Sequence, residues 1–127
     1  MEYKTGQVVK SRVEEAPFLY HFGIVAIKPN GDVTIMHNTI DEDVIREPLD
    51  TYLEDRVIEE VFETELMELP DDELYHRFIK CKGDFNAVNY NCEHFIDCML
   101  GHEQNSEQLR TILLYTLLGV VVYKVLR

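Results

Sequence analysis

The sequence predicts an α+β domain followed by a hydrophobic tail. Three observations carry this. Valine-rich alternating stretches fill the first half of the chain, helix start and stop signals gather after Pro70, and an apolar segment, uncharged from 111 to 123, occupies residues 109–127. A chain of 127 residues supports one ordinary core, since a domain of this size buries roughly two-thirds of its unfolded surface. The expected organisation is a body over 1–101, a polar spacer over 102–108 and the apolar segment over 109–127.

Residues 7–13, QVVKSRV, alternate and are rich in valine, so they read as a strand that ends before Pro17 breaks the pattern. HFGIVAI (21–27) and VTIMHNT (33–39) flank the turn KPNGD and form a hairpin. Asn-Gly alone would suggest a two-residue loop, which would put His21 and His37 on opposite faces. Pro29 instead favours a type I turn over Pro29-Asn30, with Gly31 supplying the left-handed residue of a three-residue loop. Lys28 then faces Asp32 and Gly23 faces His37. His21 becomes a diagonal neighbour of His37 on the same face, and Gly23 leaves room for two imidazoles.

VIREPL and RVIEEVFE are strand candidates on their branched and aromatic content. LPDDELYHRFIKCKG has proline and acids at its start and Gly83 after a basic end, with Leu74, Phe78, Ile79 and Cys81 as its apolar positions, which predicts a helix over 71–82. FNAVNY is a short strand or extended lead-in. The next helix starts within NYNCEHFIDC (89–98), with Asn91 as its cap and Gly101 as its terminator.

Cys92 thus falls in the first helical turn, where backbone N–H groups and the helix dipole favour a thiolate and could hold an oxyanion. Helical spacing places it in one stripe with Phe95, Ile96 and Met99, which turns its sulfur toward the sheet. A thiolate at a helix start, with an imidazole base opposite and a third group orienting that base, makes a cysteine nucleophile. His21 is the candidate base and His37 the candidate orienter. Each residue taken singly would be an ordinary core cysteine or histidine; the combination points to catalysis.

The motif YNCEHFIDCMLG resembles the Asn-Cys-Glu-His-Phe signature of the lecithin:retinol acyltransferase-like family, a circularly permuted branch of the papain-like NlpC-type thiol hydrolases. TGQVV resembles that family's opening strand, with Gln7 in place of the usual acid. YHFGIVAI resembles its first-histidine strand, and IREPL and the helix at 71–82 follow in the family's order. The resemblance implies a permuted papain-like fold with Cys92 as nucleophile, His21 as base and His37 as third member. His94, although inside the motif, is expected to serve as a cap or a polar surface contact.

Other chemistry is weighed against this. Twelve basic and twenty-four acidic residues give a net charge of -12, which repels a phosphate backbone and argues against nucleic-acid binding. Three cysteines and no N-terminal signal stretch suggest free thiols in a reducing, intracellular compartment. His94, Cys98 and His102 recur at i, i+4 spacing and Cys81 would be the fourth ligand of a zinc site, but no C-x-x-C pair supports one, so neither metal nor cofactor is expected. Cys81 and Cys98 are expected in the core, His76 and His102 in solvent.

Leu109 to Leu126 is an 18-residue stretch interrupted by Arg110 and Lys124. As a helix it would span about 27 Å, close to a hydrocarbon core of about 30 Å. Arg110, Lys124 and Arg127 could snorkel to the interfaces, and an apolar surface nearly all round suits a membrane better than the outside of a small domain. The resulting expectation is a membrane-associated acyltransferase or phospholipase A-type hydrolase that takes acyl groups from phospholipid through acyl-Cys92, on the cytosolic side. The alternatives are a peptidase or amidase using the same thiol, and a membrane-anchored adaptor without catalysis.

Overall fold

In a computed structural model of the protein, residues 2–13, 16–86 and 91–101 are described, residues 16–19 by their backbone alone. The spacer, the apolar segment, His102 and most of FNAVNY lie outside the described residues. Five antiparallel strands, β1 (Val8–Val13), β2 (Ala16–Ile27), β3 (Val33–Thr39), β4 (Asp43–Pro48) and β5 (Arg56–Phe62), form one sheet in the order β4-β3-β2-β1-β5. With the helices α1 (Leu49–Tyr52), α2 (Asp71–Lys80) and α3 (Cys92–Leu100), and a 3₁₀ turn at Glu65–Glu68, the class is α+β.

The β2–β3 hairpin follows the turn chemistry. Lys28 N–H donates to the Asp32 carbonyl at 2.9 Å and Gly31 N–H to the Lys28 carbonyl at 2.9 Å. Gly31 has φ +93°, a conformation that costs glycine little. The ladder runs from Ile27↔Val33 to Ile24↔Met36, a register that continues to Gly23 opposite His37. β2 differs from expectation at its start: it begins at Ala16, so Pro17 lies inside the strand rather than breaking it. The β1–β2 register is irregular there, jumping from Arg12↔Tyr20 to Val13↔Ala16, and such an irregularity is one of the places where a sheet accepts proline.

The sheet is covered on both sides. Ile24, Ala26 and Met36 pack against Leu74 and Phe78 of α2 and Phe95, Ile96 and Met99 of α3. On the other side Val9, Val25 and Ile35 pack with Tyr52 of α1. β3 is therefore buried from Thr34 to Thr39, whereas a strand with one wet face would alternate.

α2 carries Asp71, Asp72 and Glu73 in its first turn and Arg77 and Lys80 in its last, each sign at the dipole end it complements. It ends at Lys80, two residues short of the expected end, and Ile79, expected inside, is half exposed. Arg77 reaches across to donate to the Met99 carbonyl of α3 at 2.9 Å. Cys81 and Cys98 form a disulfide across the same pair of helices, with Cα atoms 5.9 Å apart. This corrects the expectation of three free thiols, and the inference of a reducing compartment loses the support it drew from them.

Candidate active site

β2 and β3 bring His21 and His37 together. Both are buried, at 1% and 0% exposure, and His21 Nε2 lies 2.7 Å from His37 Nδ1. The rings meet edge to face, with centroids 5.0 Å apart. The room Gly23 leaves is taken by Ile35 rather than by the imidazoles: a Cβ there would come within 2.5 Å of Ile35 Cγ2, but would make only an ordinary 3.5 Å contact with His37 Cβ.

The far nitrogen of His37 is also engaged. Its Nε2 lies 2.7 Å from Oε1 of Glu47 on β4. The β3–β4 register pairs His37 with Ile45 and Ile35 with Glu47, so Glu47 is a same-face diagonal neighbour of His37, as His21 is from the other side. Arg56 Nη1 stands 4.0 Å from the same Glu47 oxygen and 3.2 Å from Asp55. Its guanidinium lies 4.9 Å from the centre of the Tyr52 ring. Tyr52 packs at 5.0 Å from the His37 ring, and its hydroxyl hydrogen-bonds Ser11 Oγ at 2.6 Å. Glu47, Tyr52, Ser11 and Arg56 did not stand out in the sequence; the diagonal rule that joins the histidines would have found Glu47 had the β3–β4 turn been recognised.

Burial lowers the pKa of His21 well below its ordinary value, and the charges of Arg56 and His37 act in the same direction. Burial also lowers His37, more strongly than its Glu47 hydrogen bond raises it. For Glu47 burial acts upward, but the His37 hydrogen bond and the charges of His37 and Arg56 prevail and the carboxyl is lowered. Neutral imidazoles beside an ionised carboxylate reconcile these directions, because a neutral imidazole N–H still donates to a carboxylate. Burial raises the Tyr52 phenol, so it remains protonated; Ser11 and Arg56 oppose the shift, and Cys92 and Glu47 add to it.

Cys92 is buried at 2% exposure in the first turn of α3. Asn91 caps that turn as expected: its Oδ1 accepts from Glu93 N–H at 3.0 Å and His94 N–H at 3.2 Å. His94 Nδ1 accepts in return from Asn91 N–H at 3.0 Å, completing a capping box. Burial lowers the pKa of His94, against the pull of Asp97, which favours the neutral form this bond needs. One expectation changes here. The Glu93 and His94 N–H groups serve the cap, so while it holds they do not serve an oxyanion. The bond between Cys81 and Cys98 takes two of the four side chains that the zinc alternative would use, and the third, His102, lies outside the described residues.

The Phe95, Ile96 and Met99 stripe packs on the Ile24 and Met36 side of the sheet, while the imidazoles share the side of Tyr52. The stripe itself therefore does not face them. What ties the helix to their strand is its start, where Asn38 Nδ2 donates to the Asn91 carbonyl at 3.3 Å. His37 and Cys92 are each one residue from that bond, and Cys92 acts electrostatically on Tyr52. An open cleft of about 320 Å³ reaches His37 and Glu47, with Glu42, Glu54, Asp55 and Arg56 also on its walls. A buried imidazole pair anchored by a carboxylate, near a helix-start thiol, has the parts for proton transfer to and from sulfur. No protein-family model, curated protein or solved structure matches the chain.

Proposed function

We propose that the chain is a thiol-dependent phospholipid acyltransferase or phospholipase A-type hydrolase on a permuted papain-like fold, with Cys92 as nucleophile, His21 as base and His37 as the third member. The observation that carries this reading is the pair of 2.7 Å bonds joining His21, His37 and Glu47 in the buried sheet. Such a row holds one imidazole by the other and leaves His21 a ring nitrogen for a proton. The Asn-Cys-Glu-His-Phe resemblance supplies the substrate class.

The Cys92 thiol gives its proton to His21 as the sulfur attacks the ester carbonyl. Collapse of the tetrahedral intermediate breaks the ester C–O bond, and the lysolipid oxygen leaves with the proton from His21. The acyl group remains as a thioester on Cys92. An amine, an alcohol or water then gives a proton to His21, attacks the thioester and releases the acyl product and the thiol. Residues 109–127 are proposed to hold the enzyme on the membrane that contains its substrate; no described helix is long and apolar enough to cross one.

Incubation with phospholipid followed by intact and peptide mass measurement tests the reading. An acyl adduct on Cys92, absent in Cys92→Ala and Cys92→Ser, is the expected result. Adduct formation only with peptide or amide substrates would favour the peptidase. The near-complete burial of Cys92 is the observation on the adaptor's side, and a folded wild-type protein that forms no adduct with the phospholipid, ester and amide donors tried would count against catalysis through Cys92.

A further inference from the structure

Within that reading, we infer that Glu47 is a positioning residue: its carboxylate fixes the protonated nitrogen of His37 and, through it, the nitrogen that His21 presents to its proton donor. The inference follows from the order of donors and acceptors. An ionised carboxylate only accepts, so the 2.7 Å contact from Glu47 Oε1 requires the hydrogen of His37 to be on Nε2. In a neutral imidazole the other nitrogen then carries the lone pair, so His37 Nδ1 accepts. Its partner at 2.7 Å, His21 Nε2, must be the donor. That leaves the lone pair of His21 on Nδ1 and sets which edge of the ring acts as base.

Each link in this row is held from outside. Glu47 is half-buried and is steadied by Arg56 at 4.0 Å. The His37 ring stands edge to face against Tyr52, whose hydroxyl is bonded to Ser11. Both rings are buried within the sheet, where reorientation would displace packed neighbours. The ionised state of Glu47 agrees with its lowered pKa, set by burial against the stronger combined effect of His37 and Arg56. A carboxylate serving only as a surface partner for Arg56 would leave the ring hydrogens of both histidines unaffected.

Histidine-selective ¹⁵N spectra of the full chain separate the two roles. The expected wild-type spectrum has His37 and His21 both protonated on Nε2. In Glu47→Gln, whose amide can donate as well as accept, His37 should become a mixture or reverse to Nδ1–H, and Cys92 acylation should slow by roughly ten- to a hundredfold with KM unchanged. Glu47→Asp should keep the wild-type ring hydrogens and recover part of the rate. A wild-type His37 protonated on Nδ1, or a folded Glu47→Gln with unaltered tautomers and rate, would overturn the inference. Should Glu47→Gln fail to fold, the wild-type spectrum and Glu47→Asp still decide it. If wild-type Cys92 accepts no acyl group while the tautomers shift as stated, the hold of Glu47 on the imidazoles stands and the acyltransferase reading falls.

Discussion

Asn38 on β3 donates its side-chain N–H to the backbone carbonyl of Asn91 at 3.3 Å, fastening the residue after His37 to the residue before Cys92. The sheet and the helix start are thereby in contact at the two residues that border the proposed orienter and nucleophile. Both asparagines are fully buried, where a lost hydrogen bond is costly. The geometry of the site thus depends on a bond made by neither proposed catalytic group.

The histidines should differ in rank. Loss of His21 removes the proton acceptor, so His21→Ala should reduce Cys92 acylation by about 10²–10⁴-fold. His37→Asn keeps an oxygen able to accept from His21 Nε2–H, so its loss should be smaller. Rates of adduct formation, measured on variants whose circular dichroism matches wild type, give the comparison. Equal and negligible effects would make the pair structural.

The register of the β2–β3 hairpin was legible in the sequence because Pro29, Asn30 and Gly31 determine a loop type, and loop type determines which side chains share a face. Asn91 and Gly101 were legible for the same local reason, and Gly101 indeed closes α3 at φ +77°. Glu47 was not, because its role depends on a second register, Thr39↔Asp43, set by a turn with no Asn-Gly or Pro signal. Tyr52 was hidden more deeply. Its four-residue helix is too short for periodicity to announce, and its burial depends on Ser11 and Arg56, distant or unremarkable in sequence. The disulfide was missed because the spacing of Cys81 and Cys98 says nothing of how α2 meets α3.

Acid should destabilise the fold in a defined window. His21 and His37 are buried with pKa values below the ordinary 6.5, so below that pH the unfolded chain binds protons that the folded chain refuses. Their contribution to stability is complete above pH 6.5 and is lost as pH falls through the lowered values. Glu47, lowered from 4.5, adds a loss of the same sign in a more acidic range. Thermal melts should show Tm falling between pH 7 and pH 5, and less steeply in His21→Asn. A Tm that rises over that interval would contradict burial of neutral imidazoles.

Gly23 offers a test of packing at the imidazoles. The Cβ of Gly23→Ala would sit 2.5 Å from Ile35 Cγ2 and 3.3 Å from the Met36 carbonyl oxygen. Overpacking of this kind costs about 1–3 kcal/mol, and Gly23→Val should cost more and also slow Cys92 acylation. Adding Ile35→Ala removes the nearest obstacle, so the double variant should lose less stability than the two single effects summed. Denaturant unfolding of the four proteins measures that coupling; strict additivity would mean that the strand shifts instead.

Truncation after Gln108 distinguishes a membrane anchor from a piece of the core. If residues 109–127 are an anchor, the truncated protein should stay folded, with its Tm close to that of the full chain, held by the packing of Phe95, Ile96 and Met99 against Ile24, Met36 and Phe78. Were residues 109–127 packed on the domain, each large apolar side chain lost would remove about 1.5–3 kcal/mol of burial, enough to unfold a small domain after a few. Activity provides an independent reading. An anchored enzyme should lose most of its action on bilayer phospholipid when the tail is removed, because its local substrate concentration falls, yet retain its action on short, dispersed acyl esters. Flotation with phospholipid vesicles should separate the two forms in the same way, full chain with the vesicles and truncated chain in solution. A truncated protein that melts early and fails on both substrates would place the tail in the core, and the membrane reading would fall with it.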